Sequence, residues 1–137
     1  MRYAPAMNVP MAEADLRDAL AAAKGYRDHG LVPPSTEEHA IQEARRVLAE
    51  MKSRTYIYFM DAGHGWLKVK RSELLELGIA DKISTYSYQL GEWVYLEEDC
   101  DLEKFAEAKH AKGIAILFHY RHARKRSKIR SYDSFQA

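Results

Sequence analysis

The amino-acid sequence predicts an α+β protein: an N-terminal helical hairpin followed by ββαββαβ, with a mainly antiparallel sheet. Two observations predict this class. Apolar residues recur at helical spacing over the first fifty residues, and from residue 54 they alternate with a period of two. The 137 residues suffice for one core with an appended helical piece. We therefore expect a hairpin at 1–52 packed on an α+β core at 53–120, followed by a basic tail at 121–137.

The two predicted N-terminal helices are separated by "LVPPS", whose prolines cannot continue a helix. The earlier helix covers "MAEADLRDALAAAKGYRDHG" and ends at Gly30. The later helix covers "STEEHAIQEARRVLAEMKS" and carries one apolar stripe. Ser35 and Glu38 have the spacing of a capping box at its start.

Two predicted strands, "TYIYFM" and "WLKVK", flank the segment "DAGHGW" at residues 61–66. Gly63 and Gly65 fit a hairpin turn, in which glycine adopts a positive φ at low cost. A phosphate-binding loop instead requires a helix N-terminus after the strand, so the turn is the preferred interpretation. A histidine that acts as a base needs a carboxylate to orient it, and only Asp61 lies near His64 in the sequence, so we do not expect catalysis there.

Short helices and strands alternate through the rest of the core. "RSELLELGIADKIS" predicts a helix capped by Ser72 and ended at Gly78 by a Schellman motif. "TYSYQ" and "EWVYLEE" predict a second hairpin, after which Asp101 caps a helix that ends at Gly113. "IAILFHY" is apolar on both faces, which predicts a central strand.

The alternation of the strands predicts an aromatic sheet face. Phe59, Leu67 and Leu96 are expected to face the two later helices, so tyrosines and tryptophans lie opposite. That face is covered by the N-terminal hairpin, exposed as a platform for a protein or for stacked bases, or buried in a homodimer. The candidate partner-binding residues are Tyr56, Tyr58, His64, Trp66, Lys68, Trp93, Tyr95, Glu97, Glu98 and Asp99.

Charge is distributed unevenly along the chain. The net charge is +1, yet residues 121–137 carry six basic and one acidic side chain, whereas residues 53–120 carry eight and eleven. The basic tail is either an arm for a phosphate backbone or a disordered solubilising end. The acidic stretch "YLEEDCDLEKF" is either a solvated edge or a nucleic-acid mimic. The candidate nucleic-acid-binding residues are Arg121, Arg124, Lys125, Arg126, Lys128 and Arg130.

Motifs for catalysis, a cofactor or a metal are not evident in the sequence. It contains no P-loop, no GxSxG elbow and no HExxH helix. His119 and His122 form an H-x-x-H pair, which is a weak metal signal on a strand. The single cysteine, Cys100, lies among carboxylates that are expected to raise its pKa. We expect a cytoplasmic, non-membrane protein without cofactor or metal, and an enzyme is the third hypothesis.

Residues 64–105 resemble a small uncharacterised domain of bacterial, plasmid and phage-encoded proteins. Its recurring elements appear as His64-Gly65-Trp66-Leu67, Leu77-Gly78-Ile79, Tyr86-Ser87-Tyr88 and Tyr95-Leu96-Glu97-Glu98-Asp99. The resemblance implies a mobile-element or phage protein that inhibits a host defence complex of the CRISPR or restriction type. Such an anti-CRISPR-like inhibitor binds a protein or ribonucleoprotein and acts by occlusion. The alternative is a nucleic-acid-binding accessory protein that uses the basic tail and the aromatic face.

Overall fold

Two helices, α1 (Val9–Asp28) and α2 (Ser35–Ser53), form the first of two units in the computed structural model, which describes residues 8–137. This unit ends at Thr55, and the second comprises Tyr56–Ala137. Helices and a mostly antiparallel sheet together confirm the α+β class. None of the helices in the described residues combines the length and apolar character that a membrane span requires.

The two helices of the first unit pack against each other, and Ala12 and Ala23 of α1 are each 1% exposed. The bounds of α2 agree with the prediction. Its capping box does not form, because Pro34 takes the cap position and Ser35 already lies in the first turn without a capping hydrogen bond. The predicted packing of this hairpin on the core stays a prediction.

The second unit contains a six-stranded sheet in the order β5-β1-β2-β4-β3-β6. The pairs β1–β2, β2–β4, β4–β3 and β3–β6 are antiparallel. Its helices are α3 (Arg71–Glu76) and α4 (Leu102–Ala111). The strands are β1 (Thr55–Met60), β2 (Gly65–Lys70), β3 (Tyr88–Leu90), β4 (Trp93–Glu97), β5 (Leu117–His122) and β6 (Asp133–Ser134).

β5 lies at the edge of the sheet, so the prediction of a central strand is wrong. The prediction rested on the apolar first half of "IAILFHY". Ile116 and Leu117 are buried just before and at the start of the strand, whereas four of the six strand residues are exposed.

The register of the first hairpin reverses the predicted facing of β1. Tyr58 pairs with Leu67, and Phe59 pairs with Trp66. Directly paired residues of antiparallel strands share a face. The tyrosines of β1 therefore lie on the helix-facing side, where the ring of Tyr56 meets that of Phe105 at 5.1 Å between centroids. Both faces of β1 carry large apolar groups, so alternation alone did not reveal which side faces the helices.

The helix-facing side of the sheet holds the most completely buried residues. Leu67 and Val69 of β2 and Val94 and Leu96 of β4 are each 0% exposed. The end of α3 also closes this core as predicted. Ile79 donates its backbone N–H to the carbonyl of Leu74 at 3.0 Å, which is the long hydrogen bond of a Schellman motif. Ser72 does not cap α3, because Lys70 occupies the cap position.

Asp101 precedes α4 but does not cap it with its side chain. Its buried carboxylate instead accepts hydrogen bonds from the hydroxyls of Ser84 at 2.7 Å and Ser87 at 2.5 Å, and from Lys104 at 2.9 Å. Burial opposes ionisation of Asp101, but these hydrogen bonds outweigh it and the pKa is lowered. The Ser87 hydroxyl also accepts the backbone N–H of Glu97 at 2.9 Å, so this network connects the loop before β3 to β4.

Asp101→Asn is predicted to lower the free energy of unfolding by about 3 kcal/mol, because an amide cannot accept all these hydrogen bonds. Urea denaturation followed by circular dichroism at neutral pH measures the loss. Glu103→Gln, an exposed change in the same helix, is the control and should cost less than about 0.5 kcal/mol. Equal losses in the two variants would contradict the structural role of Asp101.

Candidate functional site

The turn between β1 and β2, residues 61–64, is organised by the buried carboxylate of Asp61. Its Oδ1 accepts hydrogen bonds from the backbone N–H groups of Gly63 and His64, both at 3.0 Å. The Asp61 backbone N–H donates to the His64 carbonyl at 2.9 Å and closes the turn. The predicted hairpin is confirmed.

The same carboxylate binds the C-terminal part of the chain. Its Oδ2 accepts the backbone N–H of Ser127 at 2.9 Å and the Nε–H of Arg130 at 2.8 Å, and Nη2 of Arg130 donates to Oδ1 at 2.8 Å. The Asp61 side chain is only 2% exposed. The hydrogen bonds from Arg130 and Ser127 hold the pKa of Asp61 far below its ordinary value, so this carboxylate stays ionised.

Neither Gly63 nor Gly65 has a positive φ, and a side chain at either position would meet a neighbouring side chain. A Cβ atom on Gly65 would overlap the hydroxyl group and ring of Tyr58. A Cβ atom on Gly63 would lie 2.8 Å from Nη2 of Arg130. The predicted reason for the two glycines is therefore wrong: they allow close approach, not a left-handed backbone.

Residues 121–128, here called the basic segment, carry five exposed cations. Within the described chain, none of the five lies within ion-pair distance of a carboxylate. Two backbone hydrogen bonds hold the segment near its ends. The N–H of Ala123 donates to the Met60 carbonyl at 2.8 Å, and the N–H of Ser127 donates to the Asp61 carboxylate. The five cations are Arg121, Arg124, Lys125, Arg126 and Lys128.

A surface hollow of about 380 Å³ lies between the turn and the basic segment. Its positive wall is formed by Arg124, Lys125 and Arg126. Arg130 and Asp61 also line it, but their charges offset each other. The hollow therefore has a net positive charge, which favours an anionic group of a partner.

The chain's own C-terminal residues cover much of the predicted aromatic face. Trp66 and Tyr95 are 2% and 6% exposed and form a buried cluster with Ile129. The ring of Tyr132 lies 5.2 Å from that of Tyr95. Phe135, directly after β6, is 1% exposed. The part of the tail from Ile129 to Phe135 therefore packs on the sheet.

The other predicted partner-binding aromatics are divided between the two faces. Tyr56 and Tyr58 lie on the helix-facing side and are each 9% exposed. Burial, followed by hydrogen bonds to carboxylates, raises the pKa of both phenols. Trp93 is only half-buried, and the Lys68 ammonium lies 4.1 Å from its ring centroid. Of the predicted platform, the pair of Trp93 and Lys68 keeps an accessible surface.

His64 lies beside the acidic stretch because β2 pairs with β4, with Trp66 opposite Glu97. His64 Nδ1 is 3.6 Å from Glu97 Oε1 and 3.9 Å from Glu98 Oε1. Asp99 joins them, and one ligand atom from each of the four residues lies within 4.8 Å of the others. His64, Glu97, Glu98 and Asp99 are called the histidine–carboxylate cluster below.

The remaining reactive residues lack the environment of a catalytic group. Burial and a hydrogen bond to Glu97 raise the pKa of the Cys100 thiol, in the predicted direction, although burial is the larger cause. A thiol in this state is a poor nucleophile at neutral pH. His119 and His122 are exposed on β5 and lie outside the histidine–carboxylate cluster.

The anchoring role of Ile129, Tyr132 and Phe135 was missed in the sequence. Their signal is the presence of three large apolar or aromatic residues within a tail dominated by cations. A solubilising tail has no need of such residues, since disordered segments contain few aromatic and β-branched side chains. The presence of these three residues is therefore the sequence feature that favours an ordered arm over a disordered one.

No protein-family model matches the chain, and no curated protein or solved structure matches it either. The resemblance of residues 64–105 to a domain of mobile elements stays a prediction. Function is therefore inferred from the geometry of the described residues.

Asp61→Asn is predicted to remove about 2–3 kcal/mol of stability at pH 7, because the carboxylate that binds Arg130 and Ser127 is lost. The pKa of Asp61 is lowered in the folded state, so its contribution is complete above about pH 5 and is lost as the pH falls below about 4. The difference between wild type and variant should therefore shrink in acid. Urea denaturation at several pH values measures it.

Asp133→Asn is the control, because Asp133 is exposed on the short strand β6 and takes no part in the hydrogen bonds of Asp61. Its stability should follow that of the wild type at every pH. A difference between wild type and Asp61→Asn that stays constant from pH 7 to about pH 3 would contradict the role of an ionised Asp61.

Proposed function

We propose that the protein binds nucleic acid through the phosphate backbone, with the basic segment as the contact surface. The observation that carries this proposal is the set of five exposed cations without carboxylate partners in the described chain. A cation that is paired internally must give up that partner before it contacts phosphate. The cations of the basic segment have no such competitor.

Anchoring at both ends makes the basic segment suitable for binding. The contacts of Ala123 with Met60 and of Ser127 and Arg130 with Asp61 limit the conformations of the residues between them. A segment that is already ordered loses less conformational entropy when it binds a partner. The buried ion pair of Asp61 and Arg130 thus supports affinity without contacting the nucleic acid itself.

The residue types of the basic segment also suit contacts with a phosphate backbone. Arg121, Arg124 and Arg126 each present a planar guanidinium that can bind two phosphate oxygens at once. Stacking on bases is a small part of the proposal, because Trp66 and Tyr95 are buried. We therefore expect binding that depends strongly on salt and only weakly on sequence.

A second candidate is the inhibitor of a bacterial defence complex. It is favoured by the half-buried Trp93 with Lys68 above its ring, since tryptophan is enriched among the residues that contribute most to binding at interfaces. The exposed Asp99 supplies negative charge elsewhere on the second unit. The inhibitor would act by occluding a surface of the complex.

The triple variant Arg124→Ala, Lys125→Ala, Arg126→Ala is predicted to weaken binding to a duplex of about 20 base pairs by at least about tenfold. The slope of log affinity against log salt concentration should fall by about 2.7, since each lost phosphate contact removes about 0.9. Fluorescence anisotropy between about 50 and 200 mM salt measures both.

A charge-matched control removes three exposed cations elsewhere: Arg17→Ala, Lys82→Ala, Lys112→Ala. It should change the salt slope much less, because net charge alone does not make local phosphate contacts. Equal effects of the two triple variants would mean that binding depends on net charge and not on the basic segment. An absence of duplex or single-strand binding by the wild type would reject the proposal.

For the second candidate, the tagged protein is predicted to recover one stoichiometric complex from nuclease-treated lysate of a host carrying a defence system. Trp93→Ala should lose that complex, because truncating a central aromatic anchor commonly costs about 2 kcal/mol or more of binding. Tyr86→Ala, which removes another exposed ring, is the control. Recovery of nucleic acid alone would reject the inhibitor hypothesis.

A further inference from the structure

In each of the two glutamates of the histidine–carboxylate cluster, one carboxylate oxygen accepts hydrogen bonds and the other lies near His64. Glu97 Oε2 accepts the backbone N–H groups of Asp99 at 2.8 Å and Cys100 at 2.9 Å. Glu98 Oε2 accepts the hydroxyl of Tyr58 at 2.8 Å. The other oxygen of each glutamate approaches Nδ1 of His64. Two backbone N–H groups and the Tyr58 hydroxyl therefore orient two carboxylates toward one imidazole nitrogen.

The cluster has an excess of negative charge. In the described chain, no lysine or arginine lies within ion-pair distance of Glu97, Glu98 or Asp99, and the positive partner that Glu97 and Glu98 approach is His64. Three carboxylates this close repel one another unless a cation lies between them. The negative charge of Glu98 also contributes, after burial, to the raised pKa of the Tyr58 phenol.

A second observation is independent of the carboxylates. Trp66 is 2% exposed and lines the same cavity of about 290 Å³ as His64, Glu97 and Asp99. Arg130, whose charge is paired with Asp61, lines it as well. Its indole Nε1–H has no hydrogen-bond acceptor among the described residues. A buried donor without a partner is costly, and it marks a place where an oxygen is missing.

We propose that the histidine–carboxylate cluster binds one divalent first-row metal ion, of which Mn²⁺ and Zn²⁺ are the best matches. One imidazole nitrogen with carboxylate oxygens suits these ions better than Ca²⁺ or Mg²⁺, which prefer oxygen alone. Ligands around such an ion lie about 3–4.5 Å apart, so the 4.8 Å spacing needs only small side-chain rotations. The side chain of His64 is 46% exposed, which gives the ion an entry path.

The ion would offset the repulsion of the carboxylates, and the cavity that Trp66 also lines has room for the water molecules that complete its coordination sphere. Binding would also connect the turn at residues 61–64 to the end of β4. The proposal does not depend on nucleic-acid binding, because the basic segment supplies none of the ligands.

The test is calorimetric titration of the full-length protein with MnCl₂ and, separately, ZnCl₂. One ion per chain is expected, with affinity lowered at least about tenfold in His64→Gln and in Glu98→Gln. Glu103→Gln and Asp133→Asn are controls that remove exposed carboxylates elsewhere and should keep the affinity within about twofold. Circular dichroism checks that each variant is folded.

A second readout follows the two tryptophans in ¹⁵N-labelled protein. Mn²⁺ should broaden the indole resonance of Trp66 at lower ion concentrations than that of Trp93, because Trp66 lines the cavity of the cluster. The proposal is overturned if neither ion binds saturably at millimolar concentrations, if His64→Gln binds as well as the wild type, or if the two indoles broaden together.

Discussion

The buried carboxylate of Asp61 is the interaction on which the second unit's functional surfaces depend. It accepts hydrogen bonds from the turn at Gly63 and His64 and from the C-terminal residues Ser127 and Arg130. Burying an ion pair costs desolvation free energy, and only a full set of hydrogen bonds offsets it. Asp61 has such a set, so the hairpin turn and the basic segment are ordered by one group.

This turn also separates two surfaces of opposite charge. Asp61 faces Arg130 and the basic segment, whereas His64, three residues later, faces Glu97 and Glu98. A polyanion attracted to the basic segment is repelled by the carboxylates on the other side of the turn, unless a metal ion neutralises them. The arrangement therefore restricts where a phosphate backbone can lie.

Much of the fold follows from the sequence, because α2, the first hairpin and the Schellman end of α3 depend on local spacing. The facing of β1 did not, since both of its sides are apolar and the long-range register with β2 decides between them. The predicted side-chain cap of α4 is wrong for a related reason. The Asp101 carboxylate had better partners in Ser84 and Ser87, which lie far from it in the chain.

The candidate site shows the same division between local and long-range information. The cations of the basic segment are evident in the sequence, but their anchoring by Asp61 joins residues more than sixty positions apart.

Titration of ¹⁵N-labelled protein with a short DNA duplex, followed through backbone amide shifts, tests the central claim most directly. The account predicts shifts concentrated at residues 121–128 and at the turn 61–63. Shifts centred on Trp93 or Asp99 instead, or none at low salt, would contradict it.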